Sequence, residues 1–236
     1  MRILAVGAHP DDLEILCSGT LARYVKQGHH VVMAHVCRGD KGHWEIPHHE
    51  VGEIRDKETQ AAAEVIGAEA RSLGVPDLEL YVNEETMRRM VDLIRVTKPD
   101  LIMTHHPDDY HADHNAVTKL VVDGSFSAAL PYYITSQPVH SITPPIYYMD
   151  TLAGIDFTPT EYVDISDTLE QKKEAMARHE SQITWLKEHH YTDILGFIET
   201  MARFRGLQCG ATYAEGFQSM RAWGRLSPKR LLPQVY

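Results

Sequence analysis

Several features are scarce in this chain of 236 residues, and each scarcity excludes a class of protein. Its three cysteines, Cys17, Cys37 and Cys209, are too few and too widely spaced for a disulfide framework or a zinc knuckle. No apolar run reaches the roughly 18 residues that a membrane span needs. The N-terminal sequence also lacks the long apolar stretch and cleavage site of a signal peptide. We therefore predict a cytoplasmic protein with no membrane span.

An excess of positive charge is also missing. The chain has 23 basic and 33 acidic residues, a net charge of −10 with histidine neutral, so we predict no nucleic-acid partner. No glycine-rich dinucleotide motif, phosphate-binding P-loop or serine nucleophile elbow occurs, which disfavours nucleotide-binding enzymes and serine hydrolases. Hydrophobic residues make up 43% of the chain, enough for one sizeable core. We predict a single domain over residues 1–236.

The first half of the chain alternates between apolar runs and helical periodicity, which predicts an α/β fold. The predicted strands cover 2–7, 30–37, 69–74 and 100–104. The predicted helices between them cover 13–25, 51–66 and 87–94. We expect a Rossmann-like, mainly parallel sheet flanked by helices, with right-handed crossovers and the strand order 3-2-1-4-5.

The second half of the chain is less regular and is predicted to pack on the same sheet. The pattern indicates a helix over 113–123 and a short strand over 146–149. It then indicates one long helix over 168–187 and a shorter helix over 193–204.

Histidine is abundant, with 15 in the chain, and one group lies where the first strand ends. The segment is His9-Pro10-Asp11-Asp12. We expect both aspartates in the first helical turn, where free N–H groups stabilise carboxylates. His9 and Asp12 are three residues apart, so one turn can bring them to a common point. The alternative is an acidic helix N-terminus with an incidental histidine.

A denser group follows the fourth predicted strand. Seven of the ten residues from His105 to His114 are histidine or aspartate, and His111 lies one helical turn before His114. A polar surface turn is the alternative. In the predicted strand order, strands one and four are neighbours, so both groups emerge at the same carboxyl edge, where ligands bind in such folds.

Two imidazoles and one carboxylate are a ligand set for Zn²⁺ or Fe²⁺ more than for Mg²⁺. Three protein ligands leave room for water, whose pKa a metal lowers toward about 7. A spare carboxylate could take a proton from that water and a spare histidine could protonate a leaving group. Asp11 and His111 are such spares.

These segments resemble the PIG-L/LmbE-like N-deacetylase family. Ala8–Glu14 is similar to its first motif and His111–His114 to its second, although Ala112 stands where many members have proline. Weaker similarities lie at 38–40, 55–58, 179–182 and 213–217. The resemblance implies removal of an acetyl group from an N-acetylglucosamine-type amino sugar or its conjugate. It also implies a bound Zn²⁺, with Fe²⁺ or another divalent transition metal as alternatives.

The resemblance also implies roles for individual residues. The metal would be bound by His9, Asp12 and His114. The general base would be Asp11, and His111 would stabilise the oxyanion or protonate the amine, with Asp113 orienting it. Arg55 would contact the sugar.

Some of these roles have ordinary alternatives. Arg55 and Glu58 are three residues apart on a predicted helix and could form a surface ion pair. Trp44 is a candidate for stacking on a sugar ring, in a polar loop over 39–50 that could be a lid or a plain exposed loop. His179 is expected to be a partnered core histidine.

Two further functions stay open. One is an amidase that cleaves a larger amide with the same metal centre. The other is a noncatalytic metal- or sugar-binding module, which the presence of both Asp11 and His111 disfavours. We expect a small-molecule amino-sugar substrate and a homo-oligomer.

Overall fold

The computed structural model describes residues 1–234 and contains a seven-stranded sheet in the order β3-β2-β1-β4-β5-β7-β6. The strands are β1 (Arg2–Gly7), β2 (His30–Cys37), β3 (Glu69–Val75), β4 (Leu101–Thr104), β5 (Ile146–Met149), β6 (Glu161–Asp164) and β7 (Ala214–Ser219). The helices are α1 (Asp12–Leu16), α2 (Ser18–Lys26), α3 (His48–Ile66), α4 (Glu84–Thr97), α5 (Ala112–Ser127), α6 (Leu169–Ala177), α7 (Glu180–His189) and α8 (Ile194–Cys209), with a 3₁₀ turn at Leu152–Gly154.

The centre of the sheet is parallel and covered on both faces. β1 lies between β2 and β4, with Ile3 opposite Val31 on one side and Leu101 on the other. Ile3 belongs to the apolar core on one face, and its neighbour Leu4 belongs to the core on the other face. Burial on both faces explains why β1 is an unbroken apolar run and not an alternating pattern.

The predicted order of the first five strands is confirmed, but the sheet continues beyond them. β7 pairs antiparallel with β5, and β6 pairs antiparallel with β7. Both added strands were missed because they are short and carry polar residues and a glycine, so their sequences (EYVD and AEGFQS) contain no apolar run.

Two helices that the periodicity predicts as continuous are each divided in two. The first breaks at Cys17, between α1 and α2. A buried ion pair closes this break: Glu215 accepts from the N–H groups of Gly19 (3.0 Å) and Thr20 (2.7 Å), and Lys172 donates to the carbonyl of Ile15 (2.8 Å). The anion thus lies at a helix start and the cation at a helix end, where each complements the helix dipole.

The second break separates α6 from α7 at His179, whose ψ of 61° is not helical. Apolar spacing continues across the break, so periodicity alone could not reveal it. Within residues 1–234, no helix is both long enough and apolar enough to cross a bilayer.

Candidate active site

The two histidine- and aspartate-rich segments meet at the carboxyl edge of the sheet, because they follow the adjacent strands β1 and β4. They form the floor of a cleft of about 540 Å³. The residues lining this cleft include His9, Asp11, Asp12, Lys41, Arg55, Asp77, Tyr110, His111, His114, Leu152, Gln182, Trp185, Leu186, Ile194 and Phe197.

The corner between β1 and α1 is held by its backbone. The Asp12 carboxylate accepts from the N–H groups of Ala8 (3.0 Å) and His9 (2.7 Å) through one oxygen. Asp11 precedes the helix with a φ of 105°, so the prediction that it lies in the first helical turn is wrong. A positive φ is uncommon for a residue other than glycine, and such strain concentrates at functional sites.

His9 joins this corner to the second loop. Its Nδ1 lies 3.6 Å from Asp12 Oδ2, as the spacing predicts, and its Nε2 lies 3.1 Å from Asp113 Oδ2. The Asp113 carboxylate also accepts from the N–H of Leu78 (2.9 Å). The carboxylate therefore orients His9. The prediction that it orients His111 is wrong. His111 Nδ1 accepts from the backbone N–H of Asp113 instead (3.1 Å).

His114 faces the Asp12 carboxylate from the side opposite His9. Its Nε2 lies 3.5 Å from Asp12 Oδ1, and its Nδ1 lies 3.0 Å from Asp109 Oδ1. The fully buried ring of His105 stacks on it at 3.9 Å. His105 Nε2 accepts from the N–H of Ala8 (2.9 Å), so that nitrogen is already bonded within the protein.

These donors fit a metal ion. Ligands about 2.1 Å from a tetrahedral Zn²⁺ lie about 3.4 Å apart. His114 Nε2 lies 3.5 Å from Asp12 Oδ1, and His9 Nδ1 lies 3.6 Å from the other carboxylate oxygen, Oδ2. Three sets of donors lie within 4.8 Å of one another: Asp12, His105 and His114; His9, His111 and His114; and His9, Cys37 and Asp77. The expected trio is not one of these sets, but its members recur in the first two. A possible metal-binding site therefore exists here.

The ionised carboxylates of the site also favour a nearby positive charge. Burial opposes ionisation of Asp12, but His114 and His105 outweigh it and hold the pKa of Asp12 well below its usual value. Burial likewise disfavours charged His114, but Asp12 and Asp109 raise its pKa to about 9. Protons thus supply positive charge that a bound cation would supply in their place.

The two expected proton-transfer groups differ in their surroundings. Burial and the charge of Asp12 raise the pKa of Asp11 to about 7. Burial, His9 and His114 lower the pKa of the half-buried His111. Asp11 is therefore the carboxyl group with a pKa suited to accepting and returning a proton near neutral pH.

Arg55 holds the loop after β2. Its guanidinium donates to the carbonyls of Gly39 (2.7 Å) and Gly42 (3.0 Å) and to the Gln182 side chain. Gly39 has a φ of 70°, and a Cβ there would lie 2.6 Å from Arg55 Cδ. The alternative of an ion pair with Glu58 is wrong, because the Arg55 guanidinium donates to these three acceptors and the Glu58 carboxylate accepts from Ser181 instead. Arg55 lines the cleft, but its contact with a sugar remains a prediction.

Trp44 lies outside the cleft. It is 77% exposed and stacks on His189 at 4.9 Å, beside Trp185 at 5.8 Å. Trp185 on α7 lines the cleft, so it is the better placed of the two for a ring contact. Of the predicted loop over 39–50, residues 48–50 belong to α3; whether the rest closes as a lid stays open.

A buried cluster lies behind the corner. Glu14 is fully buried, 3.4 Å from His179 Nε2 and 3.9 Å from His35 Nε2. His179 is therefore a core histidine, as expected, and it faces a carboxylate, but neither of its ring nitrogens makes a hydrogen bond. Sequence reasoning missed the role of Glu14, although Glu14 belongs to the first motif. It also missed Asp109 and His105, because the loop sequence does not show which of its histidines and aspartates contact the site and which are exposed.

The fold and the site together match one class of protein. The family model described as PIG-L: GlcNAc-PI de-N-acetylase matches residues 4–124, about half of the chain, and the chain belongs to this family.

Similar proteins and solved structures match over most of the chain. Diacetylchitobiose deacetylase of Thermococcus kodakarensis is 28% identical over 225 residues, covering 92% of this chain and 82% of the relative. The 4-oxalmesaconate hydratase of Pseudomonas putida is 25% identical over 237 residues, covering 92% and 88%. The solved N,N'-diacetylchitobiose deacetylase of Pyrococcus horikoshii is 26% identical with a TM-score of 0.81, covering 92% and 83%. A conserved protein of Thermus thermophilus is 27% identical with a TM-score of 0.80, covering 100% and 97%.

Proposed function

We propose that this protein is a metal-dependent hydrolase that removes the acetyl group from an N-acetylglucosamine-type amino sugar or its conjugate. The observation that carries the proposal is the juxtaposition of buried Asp11 with the donors around Asp12 on the floor of one cleft. Family membership and the two deacetylase relatives support the same reaction.

The metal in this proposal is Zn²⁺, with Fe²⁺ or another divalent transition metal as alternatives, held by His9, Asp12 and His114. The 3.5 Å separation of His114 from Asp12 Oδ1 and the 3.6 Å separation of His9 from Asp12 Oδ2 support a site at this carboxylate. The carboxylates near the other nitrogen of each imidazole, Asp113 and Asp109, support the same ligands. When bound, the metal supplies Lewis acidity for the amide carbonyl and the attacking water.

The remaining groups move protons. Asp11 takes a proton from the water that adds to the amide carbon. His111, at the second loop, stabilises the oxyanion. The C–N bond then breaks, and Asp11 or His111 delivers a proton to the nitrogen, which releases acetate and the free amine. Asp113 acts through His9.

The test is acetate release from a series of N-acetylated amino sugars by chelated and metal-restored protein. We expect activity only after Zn²⁺, Fe²⁺ or Co²⁺ is restored, with about one metal per chain. Full activity of metal-free protein would overturn the proposal. Release of a larger acid from longer amides, with little acetate from any sugar, would instead identify the amidase alternative.

Similarity to the hydratase raises a second candidate, addition of water to an unsaturated carboxylic acid. Such a substrate needs free cations. Lys41 and Arg55 both line the cleft, but Lys41 is bonded to Glu79 and to the Asp77 carbonyl (both 2.6 Å) and Arg55 to Gly39 and Gly42. Glu79 neutralises Lys41, whereas Arg55 keeps its charge but has its N–H donors engaged by neutral groups. The pairing of Lys41 favours a neutral sugar. Loss of conjugated absorbance from unsaturated dicarboxylates, without acetate release, would favour the hydratase.

The substrate is a small molecule in either case. A homo-oligomeric state, a cytoplasmic location and the absence of nucleic-acid partners remain predictions, as does the extent of the domain over residues 1–236.

A further inference from the structure

We propose that Asp109 is a positioning residue that fixes both imidazoles of the second loop, those of His114 and His111. The inference rests on the metal site of the proposed function and adds a residue to which neither the motifs nor the relatives' names assign a role.

The first contact is with the expected ligand. Asp109 Oδ1 lies 3.0 Å from His114 Nδ1, and both side chains are nearly inaccessible, at 1% and 3% exposure. The two atoms are close but do not meet hydrogen-bond geometry, so Asp109 acts on His114 through its charge. A carboxylate this near Nδ1 favours a proton on that nitrogen, which leaves the lone pair on Nε2. His114 Nε2 lies 3.5 Å from Asp12. The charge of Asp109 therefore favours the tautomer that metal binding by Nε2 requires.

The second contact is with the expected proton donor. The same Asp109 oxygen accepts from the backbone N–H of His111 (3.0 Å). His111 then begins α5, with its Nδ1 accepting from the N–H of Asp113. Because one oxygen faces both residues, a change at Asp109 displaces the two imidazoles together.

Asp109 is itself held from both sides. Its N–H donates to Asn115 Oδ1 (3.0 Å), and Asn115 Nδ2 donates to its carbonyl (2.8 Å). Asn115 directly follows His114 on α5. This pair of hydrogen bonds therefore fixes the loop over 109–115 to the helix that carries the expected ligand His114. The adjacent Asp108 is exposed, which makes it a matched control of equal charge.

His9 has a carboxylate neighbour of the same kind as His114. Asp113 lies behind His9 at 3.1 Å, and Asp109 lies behind His114 at 3.0 Å. Each expected imidazole ligand thus has a carboxylate at its far nitrogen, which also raises its basicity toward a cation.

The experiment measures Zn²⁺ affinity by competition with a chromophoric chelator, for the wild-type protein and for Asp109→Ala, Asp109→Asn and Asp108→Ala. We expect Asp109→Ala to bind Zn²⁺ about 10–100-fold more weakly. Asp109→Asn keeps a neutral acceptor and should fall between Asp109→Ala and wild type. Asp108→Ala should stay within about twofold of wild type, since an exposed side chain contributes little.

A second readout separates positioning from folding. The Co²⁺ absorption spectrum should change for Asp109→Ala and not for Asp108→Ala, while the metal-free thermal unfolding of Asp109→Asn should stay close to wild type. If Asp109→Ala does not fold, Asp109→Asn decides. Wild-type affinity and an unchanged Co²⁺ spectrum in the Asp109 variants would overturn the inference alone. A wild-type protein that binds no transition metal would instead overturn the proposed function.

Discussion

The two loops that form the floor of the cleft reach similar chemistry by different means. In the corner after β1, backbone geometry places the side chains: Asp12 is held by two main-chain N–H groups, and Asp11 occupies a left-handed conformation. In the loop after β4, side chains place other side chains, and Asp109 and Asn115 are the central pair.

This difference determines how each loop should respond to substitution. The two main-chain N–H groups that hold the Asp12 carboxylate cannot be removed by substituting a neighbouring side chain, so replacement of Asp12 itself should change the corner most. A loop held by side-chain contacts can be weakened in steps. We therefore expect all-or-none effects in the corner and graded effects in the loop.

The largest effect is expected at Asp12. Asp12→Asn can still accept from Ala8 and His9, but it removes the charge between the two expected imidazole ligands. Zn²⁺ affinity should fall by more than the about 10–100-fold expected for Asp109→Ala, and activity should return only with excess metal. Chelator competition on both variants makes the comparison. A smaller loss at Asp12 than at Asp109 would contradict the contrast between the loops.

Asp11 should separate chemistry from metal binding. Asp11→Asn tolerates the positive φ and is expected to keep most of the bound metal while turnover falls about 10²–10⁴-fold. Metal analysis and acetate release on the same preparation check this. If Asp11→Asn loses its metal and Asp12→Asn retains it, the two roles are exchanged.

Asp11→Gly tests whether the corner stores strain. Glycine adopts a φ of 105° without penalty. The free energy of unfolding of Asp11→Gly should therefore be about 0.5–1 kcal/mol higher than that of Asp11→Asn, and the variant should remain inactive. Denaturant unfolding of the two variants at equal metal concentration measures the difference. Lower stability of Asp11→Gly than of Asp11→Asn would show that a polar side chain at position 11 stabilises the turn.

Glu14 should affect stability with a defined pH dependence. Burial opposes its charge, but His179 and His35 lower its pKa below the usual 4.5; for His179, burial is outweighed by Glu14, which raises its pKa above 6.5. A lowered acid pKa stabilises above the unfolded value, and a raised histidine pKa stabilises below it. The pair therefore contributes fully between about pH 4.5 and 6.5.

Glu14→Gln should accordingly lower the free energy of unfolding by about 3 kcal/mol in that window. The difference from wild type should shrink as the pH falls through the lowered pKa of Glu14 or rises through the raised pKa of His179. Denaturant unfolding at a series of pH values measures it, and a difference independent of pH would show that packing, not charge, explains the loss.

The sequence predicts the parts of this molecule whose causes are local. The first five strands follow from apolar runs, and both loops follow from the residues at the ends of β1 and β4. The break at Cys17 could not be predicted, because Glu215 and Lys172, which close it, come from distant segments. The contact of Asp113 with His9 was missed for the same reason: it depends on where two loops meet.

The smallest effect is expected outside both loops, on the wall that α7 forms. Trp185 lines the cleft and Trp44 does not, although the two rings lie 5.8 Å apart and Trp44 is the tryptophan in the polar loop that the sequence favours. Stacking on a sugar is worth about 0.5–1.5 kcal/mol, so Trp185→Ala should raise KM about 2–10-fold with little change in kcat. Trp44→Ala should change KM by less than about twofold, because its loss removes a contact with His189 on the outer surface. Steady-state kinetics on an amino sugar that wild type deacetylates compares the variants. A larger KM change for Trp44→Ala would mean that the loop closes over the substrate, and the cleft would then have a mobile wall in addition to its two fixed loops.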